Sequence, residues 1–334
     1  MTDERALIAV YYEHPDWFRA LFAELDRRGL PYLRIDAARH RYDAQGAGAE
    51  EFALFFNRMS ASAYLRGHGN AIFYTRNYLA HLERKGVRVV NGYDSFAIET
   101  SKALQLSLFK SLNLPFPRTI VINDASQAVE AARSMSFPLV VKPNIGGRGA
   151  GIVRYDSLAA LERAAHDGAI DLGIDSTALV QEFIPARGAH IQRVETLGGK
   201  YLYAIKVSTT GESFNLCPAE ICQIEDGAQA VGEMCLVDAP KAGLKIEAFT
   251  PPPEVIESVE RIARAARMDM GGVEYIVDDR DGRLMYYDIN ALSNFVADAV
   301  NIVGFDPHER LVDFLEEEAS RCATVTGSQY SAAG

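Results

Sequence analysis

The residues with the most chemical potential sit in the chain's last hairpin, Gly271-Gly-Val-Glu274-Tyr-Ile-Val-Asp-Asp-Arg-Asp-Gly282-Arg-Leu-Met-Tyr-Tyr-Asp288-Ile-Asn290. A three-residue loop with Gly282 in the left-handed conformation pairs Asp279 with Arg283. That register sets Glu274 opposite Asp288, with Asn290 two residues on and on the same face. Like charges placed directly opposite are destabilising unless a cation lies between them. Hard oxygen donors of this kind suit magnesium shared with nucleotide phosphates. A solvent-facing polar stripe is the competing reading, and the rest of the chain must decide between the two.

Two lysines are candidate phosphate partners. Lys142 follows the apolar run Phe137-Pro-Leu-Val-Val141, where burial without an anion is costly; a strand end reaching solvent is the alternative. Lys102 lies on a helix and, taken alone, reads as a solvated residue. The loop from Asn144 to Gly151 has glycines at 146, 147, 149 and 151, and glycines let backbone amides approach phosphate oxygens. Gly146, Gly147, Arg148 and Gly149 are its candidate contacts, with a surface turn as the plain alternative. The loop fits neither GxxxxGK[ST] nor GxGxxG, and it leads into a strand, which excludes a Rossmann turn. In Val180-Gln181-Glu182-Phe183-Ile184, an edge backbone could read adenine while Phe183 or Ile184 packs the base; an ordinary core strand is the alternative.

These residues need elements to position them. Strands at Arg5–Tyr11 and Leu30–Ile35 flank a helix at Asp16–Arg28 stopped by Gly29, which predicts a right-handed parallel unit. A strand ending at Asn57-Arg58, a helix at Asn77–Lys85 and a strand at Val87–Asn91 extend it into a small open α/β domain. A helical pattern covers Ser95–Leu112. Strand, helix, strand, glycine loop, strand and helix then run from Arg118 to His166. Gly198-Gly199 joins strands His190–Leu197 and Lys200–Ser208 into a hairpin that sets Arg193 opposite Ala204 and diagonal to Lys206. Residues 216–252 read as irregular, Glu254–Met268 as an amphipathic helix, and Pro307 to about Glu318 as the last one. The resulting divisions are 1–93, 94–177 and 178–319, with 320–334 a disordered tail.

The chain has 334 residues, 48% hydrophobic and 24% charged, which is ample for several cores. A net charge of −11 disfavours a nucleic acid partner. No apolar run reaches the roughly 18–20 residues that span a bilayer, and the acidic N-terminus is no secretory signal. Four cysteines without CxxC spacing fit reduced thiols, and the expected location is the cytoplasm.

Taken in order, these motifs resemble the ATP-grasp superfamily, and most closely the RimK-like carboxylate–amine ligases. The resemblance runs from about Phe56 to Phe305. It implies a three-domain ATP-grasp fold of α/β and α+β units, with ATP held between two α+β units. Ser101-Lys102-Ala-Leu-Gln-Leu is similar to the family's nucleotide-binding helix, Val140-Val-Lys142-Pro143 with the glycine loop to its phosphate flap, and Val180–Ile184 to its adenine hinge. Arg193 sits where the family has a substrate- and phosphate-binding arginine, and Lys206 where it has a second cation; these are the expected catalytic pair. Ser213-Phe-Asn215-Leu resembles its Arg-Ser-Asn-Leu segment, and Glu274 with Asp288 and Asn290 its metal ligands. The resemblance implies ATP and two magnesium ions, with manganese as a substitute. It also implies a small carboxylate (an amino acid or short peptide) and an amine as substrates, and it leaves a homo-oligomer open. Arg58 and Arg76 are the expected carboxylate-binding residues of the N-terminal domain. Two departures stand out. Both metal carboxylates are exchanged in length relative to the family's Asp and Glu, and Ile191 replaces an acid two residues before the arginine. A phosphotransferase and a non-catalytic nucleotide-binding protein are the alternative readings.

Overall fold

The computed structural model describes residues 6–46, 51–147, 149–208 and 245–331. Their strands form three sheets. The first contains β1 (Ile8–Tyr12), β2 (Tyr32–Asp36), β3 (Leu54–Arg58) and β4 (Val89–Val90), all parallel in the order β2-β1-β3-β4. Helices α1 (Arg19–Arg28) and α2 (Gly69–Arg84) make its crossovers. Gly29 closes α1 in the left-handed conformation at φ 63°, as the sequence predicts.

Helices α3 (Tyr93–Glu99) and α4 (Lys102–Ser111) follow. The single helix expected over Ser95–Leu112 is in fact broken between Glu99 and Lys102. Ser101 is extended there, and its hydroxyl accepts from the Leu104 amide at 3.2 Å, which starts a new helix. The break makes Lys102 the first residue of α4.

The second sheet is antiparallel, in the order β5 (Thr119–Ile122), β8 (Ala178–Glu182), β6 (Leu139–Pro143), β7 (Val153–Tyr155). Helices α5 (Gln127–Ala132) and α6 (Leu158–His166) cover it, and Ala128, Leu161 and Val180 share their core. The third sheet runs β11 (Ile246–Ala248), β10 (Lys200–Ser208), β9 (His190–Leu197), β12 (Met270–Val277), β13 (Leu284–Asn290), also antiparallel. Helix α7 (Pro253–Ala265) packs on it through Val255, Val259 and Ile262, the stripe the sequence predicts. Each such fully buried side chain contributes about 1.5–3 kcal/mol.

After α8 (Ala299–Val303), α9 spans Pro307–Ser331, well past the end expected near Glu318 and through most of the tail expected to be disordered. No Pro or Gly interrupts it before Gly327, Arg321 pairs with Glu318, and Cys322 packs against the core. Leu311 and Leu315 of α9 join α1 and the third sheet in one core. Most of segment 216–252 lies outside the described residues, as do Arg148 and Asn215.

Candidate active site

The second and third sheets face one another across an open cleft. Lys102, Lys142, Gly146, Gly147, Gly149, Gln181, Glu182, Phe183, Ile184, Arg193, Glu274, Asp288 and Asn290 all line it.

The metal-type hairpin forms with Glu274 directly opposite Asp288. Its turn closes differently from the sequence expectation. The Gly282 amide bonds Asp278 O and the Asp278 amide bonds Arg283 O, so Val277 pairs with Leu284. A bulge between Glu274 and Tyr275 then leaves Tyr287 as the extra residue and restores the expected pairing at the carboxylates. The bulge lets both Tyr287 and Asp288 line the cleft. The Tyr287 hydroxyl donates to Glu274 Oε2 at 2.7 Å.

Cations hold the two carboxylates. Lys102 Nζ lies 2.6 Å from Asp288 Oδ1, and Arg193 Nη1 lies 2.9 Å from Glu274 Oε1. Burial, with Asp288 adding to it, pushes the Glu274 carboxyl above its ordinary pKa despite Arg193. Burial works against the Lys102 ammonium, but Asp288, with Glu274 and Glu99 adding to it, more than offsets this and raises its pKa. Lys142 is 6% exposed and forms no ion pair among the described residues; burial, with Lys102 adding to it, draws its pKa down to about 7. A buried cation without a partner is costly, and an entering polyanion would relieve it.

The approach of the two lysines is fixed by Asn144, which the sequence reading passed over. Its side-chain oxygen accepts from the Ala103 amide at 2.9 Å and from Ser101 Oγ at 3.2 Å, and its Nδ2 donates to Asp175 at 2.6 Å. Gln105 ties α4 to β13 in the same way, donating to Ile289 O at 2.9 Å and accepting from the Ile289 amide at 3.1 Å. Glu99, also missed, lines the cleft. It accepts from the Ala291 and Leu292 amides, and burial, with Asp288 adding to it, pushes its carboxyl up to about 7.

Three expected residues are placed elsewhere. Leu197 pairs with Lys200 as expected, but a bulge between Tyr201 and Tyr203 sets Arg193 opposite Ile205. Lys206 therefore pairs with Gln192 and projects from the opposite face, where its ammonium lies 5.1 Å from the Phe249 ring. Arg58 is 3% exposed, and its guanidinium donates to Ser293 O and, at 3.0 Å, to Asn294 Oδ1. It clamps the loop after β13 to the first sheet rather than facing a substrate. Asn91 adds to that clamp by donating to Met270 O and Ala291 O, each at 2.8 Å. Arg76 lies on α2 and does not line the cleft. Trp17, Ser60 and Ser62 of the first unit do line it, and a Cβ on Gly147 would meet Ser62 Cβ at 3.0 Å, so the glycine loop rests against that unit.

Among the described residues, no three His, Cys, Asp or Glu side chains are grouped to hold a metal ion. Glu274, Asp288 and the Asn290 amide nevertheless converge, with Asn290 Nδ2 3.4 Å from Glu274 Oε1 and 3.5 Å from Asp288 Oδ2. The two opposed carboxylates supply hard oxygens that fit a divalent cation completed by phosphate and water oxygens, and Asn290 would add its Oδ1 on turning the amide whose Nδ2 faces them here.

A RimK domain ATP-grasp protein from Sphaerobacter thermophilus superposes on 92% of this chain and 99% of its own length, with a TM-score of 0.65 and 18% identity. The chain has the ATP-grasp fold. A second ATP-grasp structure, the ligase PsnB with minimal precursor, magnesium and ADP, covers 93% of this chain and 97% of its own, with a TM-score of 0.60 and 18% identity. In sequence, the chain is similar to a probable alpha-L-glutamate ligase of Mannheimia succiniciproducens, at 28% identity over 167 residues, 47% of this chain. That match spans about half, 54%, of the relative's length. No family model matches the chain. The likeness to RimK-like proteins drawn from the sequence thus extends to the ATP-grasp fold as a whole. Among the described residues, no helix is long and apolar enough to cross a membrane.

Proposed function

We propose that the protein is an ATP-dependent carboxylate–amine ligase that forms an amide bond through an acyl phosphate. The observation that supports this most strongly is the convergence of Lys102 and the buried Lys142, which has no ion-pair partner among the described residues, on the opposed carboxylates Glu274 and Asp288. Phosphoryl transfer needs preorganised cations more than it needs a protein nucleophile.

In this reading the substrate carboxylate attacks the γ-phosphate of ATP, an O–P bond forms, and the bond to ADP breaks. The amine then attacks the acyl carbon, the C–O bond breaks, phosphate leaves with one carboxylate oxygen, and the nitrogen loses a proton. Lys142 and Lys102 hold the α- and β-phosphates, and the incoming anion restores the full charge of Lys142. Arg193 moves from Glu274 to the acyl phosphate. When bound, two magnesium ions, or manganese in their place, held by Glu274, Asp288 and Asn290, would neutralise phosphate charge. Gln181 to Ile184, with Pro117 and Val140 beside them in the cleft, receive the adenine. The glycine loop closes over the site and excludes water that would hydrolyse the intermediate. An amino acid or short peptide is the substrate class.

The test is a screen of amino acid pairs for ADP release with mass detection of products. Ligase activity requires both partners and yields a product equal to their sum less water. A phosphorylated single substrate would establish a phosphotransferase instead.

A further inference from the structure

We infer that Glu195 is the docking point for the ammonium group of the amine substrate, an inference that rests on the ligase reading above. Glu195 is 1% exposed and lines the cleft. Its Oε1 accepts from Arg193 Nε at 2.6 Å, while its Oε2 is buried and has no hydrogen-bond partner among the described residues. A buried carboxylate oxygen left without a donor is costly, so a cleft that keeps one calls for a donor from outside.

The surroundings are built for that carboxylate. Gly272 lies opposite Glu195 on β12, and a Cβ there would come within 2.8 Å of Glu195 Oε1 and 2.6 Å of Arg193 Nε. Only glycine leaves room for the pair. On the other side Tyr203 lies opposite Glu195 on β10, its ring 6.3 Å from Phe295 and its oxygen accepting from the Val296 amide at 3.0 Å. Ile205, Phe295 and Val296 line the cleft as well, so the carboxylate faces apolar walls. In such weakly screening surroundings a charge-assisted bond from an ammonium is strong, and a hydroxyl gains far less.

Position supports the same role. Arg193 bridges Glu195 to Glu274 through Nε and Nη1, with Nη2 donating to Ser293 Oγ at 3.1 Å. An ammonium held at Glu195 Oε2 therefore sits beside the arginine assigned to the acyl phosphate; it passes one proton to that carboxylate to become the attacking amine, and the nitrogen sheds a second as the amide forms. Ile191, two residues before Arg193 on the same face, offers no charge, so the acid on this part of β9 is Glu195.

The test uses the full chain with amino acids as carboxylates and amino acid amides as amine probes, each compared with the matching 2-hydroxy amide. Glu195→Gln keeps an oxygen for Arg193 Nε but removes the charge. Its KM for the amine should rise about tenfold or more, and the preference for amine over 2-hydroxy amide as a competitor should disappear. A fall in kcat with the amine KM and that preference unchanged would show that Glu195 serves only to orient Arg193, and would overturn the inference. If Glu195→Gln does not melt cooperatively, Glu195→Asp replaces it. The preference should then persist with a raised amine KM, and equal competition by the hydroxy amide would be the contrary result. A wild type that releases no ADP with any acid–amine pair would instead remove the ligase reading, and this inference with it.

Discussion

Replacing Glu99 with glutamine should change how stability depends on pH, in a direction set by burial. Glu99 is half-buried beside Asp288, and its carboxyl is pushed from an ordinary 4.5 up to about 7. Below pH 4.5 the group is protonated in folded and unfolded chains alike. Between 4.5 and about 7 the unfolded chain releases the proton while the folded chain keeps it, so stability falls as pH rises and the loss is complete above about 7. At about 1.4 kcal/mol per pH unit, that interval corresponds to roughly 3 kcal/mol. The glutamine side chain would still offer an oxygen to the Ala291 amide and would not titrate. The Glu99→Gln variant should match the wild type near pH 4 and exceed it by up to about 3 kcal/mol at pH 8. Lys142 contributes the opposite slope above pH 7 in both proteins, so the difference between the two curves isolates Glu99. Urea melts from pH 4 to 8.5, without nucleotide or divalent ion, provide the measurement. Parallel curves would show that Glu99 ionises in the folded protein much as it does in the unfolded chain, and the buried-proton argument would fail.

Two further outcomes follow from the site. Asp288→Ala should lower ADP formation by about a hundredfold or more with the fold intact, since it removes a carboxylate facing both Glu274 and Lys102; undiminished turnover would rule out the metal assignment. Arg58→Ala should cost roughly 1–3 kcal/mol in a urea melt, because Ser293 O and Asn294 Oδ1 lose a buried donor, and should leave the carboxylate KM in place. A raised carboxylate KM at unchanged stability would return Arg58 to the substrate.

What the sequence conveyed depended on whether a residue's role was local. The apolar stripe of α7 and the Gly29 stop are set by neighbouring residues, and they form as expected. The Glu274–Asp288 pairing was also legible, but through two departures that cancel: the turn closes one residue away from the expected register, and the bulge at Tyr287 corrects it. The bulge beside Tyr201 has no such counterweight. It changes the pairing by one residue, and because side chains alternate across a strand, Lys206 passes to the far face while Arg193 stays in the cleft. Bulges leave little mark in an alternating apolar pattern. Ser101 was a readable cap signal, overlooked because the apolar pattern continues across it. Asn144, Gln105, Asn91 and Arg58 act on backbone far away in sequence, so their roles appear only when the elements they join are side by side. Glu99 reads as an ordinary helix acid until the loop after Asn290 folds over it. Glu195 shares the cleft face of β9 with Arg193, but its unpartnered oxygen appears only once β12 places Gly272 opposite it.

The acyl phosphate itself can be tested by labelling both oxygens of the substrate carboxylate with a heavy isotope and following turnover by mass spectrometry. Attack of the carboxylate on ATP, followed by attack of the amine at the acyl carbon, must transfer one labelled oxygen to the released phosphate and leave the other in the amide. Unlabelled phosphate alongside a fully labelled acid would mean that water, not the carboxylate, takes the γ-phosphoryl group, and would contradict ligase chemistry in this cleft.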